Sequence, residues 1–156
     1  IESFRRIVAS GTSGNGPTSF VVTDRDGTRH VYESAGGFSK SGTIGLWART
    51  RTLDTFSNAI DYEYVNTSGE LLVDRIEYTS NTPQVLSSKY AVQFYYQNRT
   101  LLDTRAGYTF GVPRYQRNLL DRLRVERLDD NGQIVEVIRE YDLTHQAGTA
   151  GRAHPP

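Results

Sequence analysis

The chain has 156 residues, and its 18 basic side chains balance 18 acidic ones, so the formal net charge is zero. This balance provides no overall field that would attract nucleic acid or an anionic membrane. The absence of cysteine excludes disulfides and cysteine-based metal or redox chemistry. No apolar run approaches the ~20 residues that a membrane span needs. Because the chain starts at Ile1 and contains no methionine, we expect it to be a segment of a longer protein.

The first third of the chain predicts short strands between polar loops. Residues 10–19 contain only Ser, Gly, Thr, Asn and Pro, a composition typical of a flexible loop. Residues 20–23 and 28–32 predict two strands around Asp-Arg-Asp-Gly at 24–27, whose Asp-Gly pair favours a tight hairpin. A second polar loop follows at 34–43.

From residue 46 onward, apolar and polar residues alternate almost without interruption. Strands are predicted at 46–53, 59–65, 71–79 and 90–97. The stretch 98–118 is predicted to be irregular, and 119–128 is predicted to begin as a helical turn and continue as a strand. Asp-Asp-Asn-Gly at 129–132 is the strongest hairpin signal and joins 123–128 to 134–143.

These patterns predict an all-β fold. No segment sustains a 3.6-residue apolar period, and strands recur about every dozen residues with turns between them. We therefore expect an antiparallel meander of β-hairpins, either open or part of a larger coiled β-shell. Residues 1–19 would form an N-terminal strand and flexible loop, 20–143 the all-β domain, and 144–156 a tail or linker.

No motif predicts a catalytic centre. The histidines lack the spacing of a metal site; they are His30, His145 and His154. Four acidic residues are the candidates for a glycosidase-type carboxylate pair; they are Asp61, Glu63, Asp74 and Glu77. Cross-strand pairing with arginine is the favoured explanation for them. We predict no enzymatic activity, no cofactor and no metal.

Aromatic and arginine residues on the predicted strands form a candidate binding surface. These residues are Trp47, Arg49, Arg51, Tyr62, Tyr64, Tyr95 and Tyr96. Tyrosine, tryptophan and arginine are enriched at protein interfaces, so the set predicts a face for a glycan or a protein. The alternative is that these side chains form the core and the cross-strand ladders of the sheet itself.

Five short motifs follow one another in an order that resembles a known family. They are Leu-Trp at 46–47, Tyr-Glu-Tyr at 62–64, Ile-Glu-Tyr-Thr at 76–79, Phe-Tyr-Tyr-Gln-Asn-Arg at 94–99 and Arg-Leu at 122–123. Over about residues 20–143 the chain resembles the N-terminal region of plasmid-virulence-type B proteins and the B components of insecticidal toxin complexes.

The resemblance implies a structural part of a secreted bacterial toxin. In that family, such components join Rhs/YD-repeat partners in a hollow β-shell that encloses a toxic effector. The expected partners are therefore the remainder of its own longer chain and other toxin-complex components, with a host-surface protein or glycan as a further candidate. The alternative function is a free-standing carbohydrate- or protein-binding β-module on a secreted or surface protein.

Overall fold

The computed structural model describes residues 4–12, 14, 16–34, 39–40, 43–67, 70–99, 105–109 and 112–145. Thirteen strands and no helix lie within these ranges. The strands are β1 Arg6–Ser10, β2 Ser19–Thr23, β3 Arg29–Ser34, β4 Ser39–Lys40, β5 Thr43–Ile44, β6 Trp47–Leu53, β7 Asn58–Thr67, β8 Glu70–Asn81, β9 Tyr90–Asn98, β10 Arg105–Thr109, β11 Val112–Gln116, β12 Asn118–Leu128 and β13 Ile134–Asp142.

Nine of these strands form one antiparallel sheet in the order β1-β2-β3-β6-β7-β8-β9-β12-β13. The two remaining pairs, β4–β5 and β10–β11, are short hairpins inserted between neighbouring strands of this sheet. β1 and β13 lie at opposite edges and do not pair with each other, so the described part of the sheet is open. The predicted all-β meander is confirmed.

Two Asp-x-x-Gly turns close their hairpins where the sequence predicts them. Gly27 has a φ of 88° and Gly132 a φ of 77°, a region that costs glycine little because it has no Cβ. In each turn the glycine N–H donates to the aspartate carbonyl, at 3.0 Å to Asp24 and 3.2 Å to Asp129. The turn predicted at 66–69 lies partly outside the described residues.

Three local predictions are wrong. The loop predicted at 34–43 contains β4 and the first residue of β5, which pair with each other. Residues 119–122 belong to the extended strand β12 and not to a helical turn, because β9 and β13 pair with β12 on either side. The stretch 98–118 contains the hairpin β10–β11. Gly107 and Pro113, both poor strand formers, conceal its alternation in the sequence.

The two faces of the large sheet differ in chemistry. Direct partners on neighbouring strands share a face, and one such row is Glu63, Arg75, Gln93, Arg124 and Glu140. Two rows on the opposite side are Tyr62, Ile76, Val92 and Val125, and Ile60, Tyr78 and Tyr90. We call these sides the charged face and the aromatic face.

The sheet is a single layer with few buried apolar residues. Among the described residues, the buried apolar ones are Ala48, Ala59, Ala91 and Leu128. Along β8 and β9 nearly every residue is half-buried, whichever face it lies on. A sheet with one covered face would instead alternate buried and exposed positions. Contacts between neighbouring strands, rather than a core between layers, therefore stabilise this sheet.

A buried carboxylate lies at the centre of the polar contacts on the charged face. Glu126 is 0% exposed, and its Oε2 accepts a hydrogen bond from Arg75 Nη1 at 3.1 Å. Arg75 also donates from Nε to Glu77 at 2.9 Å and from Nη1 to Gln93 at 3.0 Å. One guanidinium thus links β8, β9 and β12.

We expect Arg75→Met to lower the free energy of unfolding by about 3–5 kcal/mol, because Glu126 would stay buried without its cation. Arg124→Met is the matched control. Arg124 pairs with Glu140 on the same face, but both side chains are about one-third exposed, so its loss should cost less than about 1 kcal/mol. Urea unfolding followed by circular dichroism measures both variants, and equal losses would contradict a special role for the buried pair.

A second prediction concerns the loop between β8 and β9. Val85 is 90% exposed and has a φ of 54°, a strained value for a β-branched residue. We expect Val85→Gly to raise the free energy of unfolding by about 1 kcal/mol. The control Val65→Gly, inside β7, should lower it by up to about 1 kcal/mol. Destabilisation in both variants would show that Val85 is not strained.

Candidate functional site

Trp47, the first residue of the predicted surface, is engaged in packing. Its ring meets Phe20 edge to face, with centroids 5.1 Å apart. Its Nε1 donates to the carbonyl of Pro17 at 2.9 Å, and a Cβ on Gly16 would lie 3.3 Å from Trp47 Cζ2. The indole therefore holds residues 16–18 against the sheet, and its one polar group is already bound.

Arg49 gathers three tyrosines around it. Its guanidinium carbon lies 5.6 Å from the ring centroid of Tyr32 and 5.9 Å from that of Tyr62. Arg49 Nη2 donates to the Tyr32 hydroxyl at 3.2 Å, and this bond raises the pKa of Arg49. The Tyr64 hydroxyl donates to the carbonyl of Arg49 at 2.8 Å. The Arg49 guanidinium thus lies against the tyrosine rings to which a cationic ligand would otherwise bind.

The other three predicted residues lie apart from this group. Arg51 is on the charged face, where its Nη2 donates to Asp61 Oδ2 at 3.1 Å. Tyr95 lies under Arg124, whose guanidinium carbon is 5.2 Å from the ring centroid. The Tyr96 hydroxyl donates to a backbone carbonyl of β8 at 2.7 Å, and burial raises its pKa. The structure therefore brings Arg49, Tyr62 and Tyr64 together, whereas Trp47, Arg51, Tyr95 and Tyr96 each have other partners.

A β-bulge explains why the surface divides. Arg49 and Arg51 are two residues apart on β6, so simple alternation predicts that they share a face. Val31 pairs with Arg51, but the next residue, Tyr32, pairs with Arg49. The extra residue on β6 moves Arg49 to the aromatic face and leaves Arg51 on the charged face.

The four predicted carboxylates are spread over β7 and β8. Asp61 and Glu77 pair with arginines, and Asp74 Oδ1 accepts a hydrogen bond from Gln93 Nε2 at 3.0 Å. Burial, and then the charge of Glu77, raise the pKa of Glu63. Asp61 and Glu77 thus have structural partners of the kind that the sequence favours. The lack of enzymatic activity stays a prediction.

The described histidines bind neighbouring polar groups. His30 Nδ1 lies 3.1 Å from Thr52 Oγ1, and its Nε2 lies 3.1 Å from Asp24 Oδ2. His145 Nε2 lies 2.6 Å from a backbone carbonyl of β12, and residue 154 is outside the described ranges. Within those ranges no three His, Cys, Asp or Glu side chains are grouped as a metal site requires. No helix in the same part of the chain is long and apolar enough to cross a bilayer.

The strand β13 is exposed along its whole length, at all nine residues. Its large apolar side chains are 46% to 53% exposed; they are Ile134, Val135, Val137, Ile138 and Tyr141. Two register shifts leave Val135 and Ile138 without a partner on β12. Proteins protect sheet edges with charged residues, proline, β-bulges or short strands. β13 is nine residues long and has no lysine or proline, and its charged residues and register shifts leave the apolar run at 134–138 exposed. We call its outward backbone and exposed side chains the β13 edge.

The sequence pattern predicts that β13 is a strand, but it does not predict that the strand is exposed. A usable signal was present in the sequence. Apolar residues occur at both odd and even positions, in Ile-Val-Glu-Val-Ile at 134–138. That pattern is typical of a strand covered on both faces, whereas among the described residues β13 has a neighbour on one side only.

Comparison with known proteins finds similarity in structure and not in sequence. No family model matches the chain, and a search of curated proteins finds no relative. The fold is similar to that of the N-terminal domain of effector protein SpvB from Salmonella typhimurium strain LT2, with a TM-score of 0.65 and 14% sequence identity. That match covers 86% of this chain and 58% of the other.

Two toxin-complex structures are also similar. The crystal structure of TcdB2-TccC3-Cdc42 matches with a TM-score of 0.62 and 12% identity, and that of TcdB2-TccC3 with 0.61 and 13%. Each match covers 81% of this chain and 8% of the other. The chain thus has the fold that the order of its motifs predicts, that of the SpvB N-terminal domain and of part of the TcdB2-TccC3 structures.

Proposed function

We propose that this chain is a structural segment of a secreted bacterial toxin-complex or virulence protein. In this role it forms part of the wall of a β-shell that encloses or delivers a toxic effector. The observation that carries the proposal is the β13 edge, at the end of an open single-layer sheet. Unpaired backbone N–H and C=O groups along such an edge are a template for another strand.

The similar structures support a wall that continues beyond this chain. The chain spans 58% of the SpvB N-terminal domain and 8% of each toxin-complex chain. Proteins with this fold therefore carry further residues that can pair with an edge or cover a face. The partners that fit the β13 edge best are strands from the remainder of the longer chain and from other toxin-complex components.

The charged face suits a hydrated interior. Ion pairs between neighbouring strands lie along it, as in Arg51 with Asp61 and Arg122 with Asp142. Such pairs satisfy charges on an exposed sheet without requiring an apolar cover. Large sheets also coil because their strands twist, so a nine-stranded layer can serve as one panel of a curved wall.

The wall proposal predicts that β13 is protected in the full-length protein. Its outward N–H groups would pair with an added strand, so its amides should exchange with deuterium about tenfold or more slowly than in the 156-residue chain alone. Strand β7, which has neighbours on both sides, is the internal control and should exchange at the same rate in both. Hydrogen exchange with mass spectrometry makes the comparison. Equal rates for β13 in the two proteins would contradict the proposal.

A further prediction concerns the chain on its own. An uncovered β13 edge should drive self-association at micromolar concentration, and Ile138→Lys should suppress it, because a lysine on an edge opposes strand pairing. Phe56→Lys is the matched control, since Phe56 is 80% exposed but lies in the turn after β6. Sedimentation velocity separates the two variants. If Ile138→Lys associates as strongly as the unmodified chain, the β13 edge is not the contact.

A further inference from the structure

A cavity of about 430 Å³ lies on the aromatic face, at the end of the sheet where the turns after β2 and β6 meet β8. The residues that line it are Thr28, Thr52, Asp54, Asn58, Ala59, Ile60, Tyr78 and Thr79. They supply hydroxyls, one amide, one carboxylate and one aromatic ring, and none carries a positive charge. Small-molecule sites usually measure about 300–1,000 Å³ and combine apolar walls with a few fixed polar groups. This cavity has that size and composition, and it is a shallow cleft more open to solvent than enclosed.

Tyr78 gives the cavity a rigid aromatic wall. Its ring stacks on Tyr90, with centroids 5.5 Å apart and ring planes 20° apart. The two residues are direct partners on β8 and β9, so the strand register itself holds the stack. Ile60 is the partner of Tyr78 on the other side and extends the apolar surface. Such a wall suits a ligand with a flat side that carries C–H groups.

Thr52 presents a fixed hydrogen-bond acceptor. Asp24 Oδ2 lies 3.1 Å from His30 Nε2, so in the neutral ring Nε2 carries the proton and Nδ1 accepts. The Thr52 hydroxyl, 3.1 Å from Nδ1, then donates to the histidine. The Tyr62 hydroxyl lies 3.5 Å from the same oxygen and can occupy one of its lone pairs, which leaves the other for a donor in the cavity.

Asp54 stabilises the turn after β6 at the edge of the cavity, so its oxygens are not free to bind a ligand. Its Oδ1 accepts hydrogen bonds from the backbone N–H groups of Phe56 and Asn58, both at 2.8 Å. Its Oδ2 accepts one from Asn58 Nδ2 at 2.7 Å, and these bonds, the Asn58 side chain first, lower the pKa of Asp54. Because the lining contains this carboxylate and no cation, an anionic ligand would be repelled.

Backbone strain marks the same cavity. Thr79 has a φ of 75°, an outlying value for a β-branched residue. It has no partner on β7, since Ser80 pairs with Ala59 and Tyr78 with Ile60. The register shift between β7 and β8 and a hydrogen bond from the Lys89 N–H to Thr79 Oγ1 at 3.0 Å hold Thr79 in this conformation, and strained residues of this kind occur often at ligand sites.

We propose that this cavity binds one ring of a neutral sugar. The C–H side of a pyranose would lie on Tyr78, and its hydroxyls would bind the Thr28 and Thr52 hydroxyls and the second amide hydrogen of Asn58. The first of those amide hydrogens is donated to Asp54, and the Asn58 carbonyl oxygen accepts a bond from Asn81 Nδ2 at 2.9 Å. Neutral sugars combine an apolar ring side with several hydroxyls, which matches one aromatic wall beside uncharged hydrogen-bonding groups. The inference is independent of the wall proposal, because none of these residues lies on β13.

Saturation-transfer difference NMR on the full-length protein tests the proposal with D-glucose, D-galactose, D-mannose and N-acetyl-D-glucosamine. At least one should bind saturably with a Kd of about 1 mM, as expected for a ligand of about a dozen heavy atoms. Thr52→Val and Tyr78→Leu should each weaken binding about tenfold or more. Thr50→Val, the same change on the same strand outside the cavity lining, should leave the Kd unchanged.

Two results would overturn the proposal. One is the absence of saturable binding for all four sugars. The other is an unchanged Kd in Thr52→Val, whose fold is checked by its circular dichroism melt. If Tyr78→Leu fails to fold, Thr52→Val decides alone. Either negative result leaves the exchange rates of β13, and with them the wall proposal, unaffected.

Discussion

A single layer of β-sheet has no opposing layer against which to bury its side chains, and this constraint shapes the whole molecule. The described part of the chain buries three alanines and one leucine as its apolar core. Its strands depend instead on lateral contacts, as when Arg75 links Glu126, Glu77 and Gln93 across three strands. In such a sheet a buried ion pair replaces part of the packing that a second layer would provide, so its loss is more serious than that of a surface pair.

Because the sheet is a single layer, its edge strands are more exposed than its central strands. A central strand such as β8 has neighbours on both sides, whereas β13 has one in the part of the chain that the structure describes. The exposed apolar side chains on both faces of β13 do not stabilise the protein. Burial of these side chains under another strand would stabilise it. The composition of this strand is therefore that of a central strand placed at an edge, which favours a wall that continues past Asp142 over a free-standing module.

Much of this fold follows from sequence, because alternation specifies a strand and Asp-x-x-Gly specifies a tight turn. The order of weak motifs indicated the fold where no single motif did. The division of the candidate surface was not predictable in the same way. Arg49 and Arg51 obey the two-residue period, yet one residue added to β6 opposite Val31 and Tyr32 places them on opposite faces. Register shifts depend on pairing between strands, and the period within one strand does not encode them.

The wall and sugar proposals, although independent, constrain each other through the geometry of the faces. The cavity opens on the aromatic face, since Thr52, Ile60 and Tyr78 are direct partners there. A glycan outside a closed shell can reach that cavity only if the aromatic face points outward. The charged face, with Glu63, Arg75 and Arg124, would then line the interior, where water rather than an apolar layer satisfies its charges. If a glycan too large to enter the shell also binds the cavity, the aromatic face points outward and the charged face lines the interior.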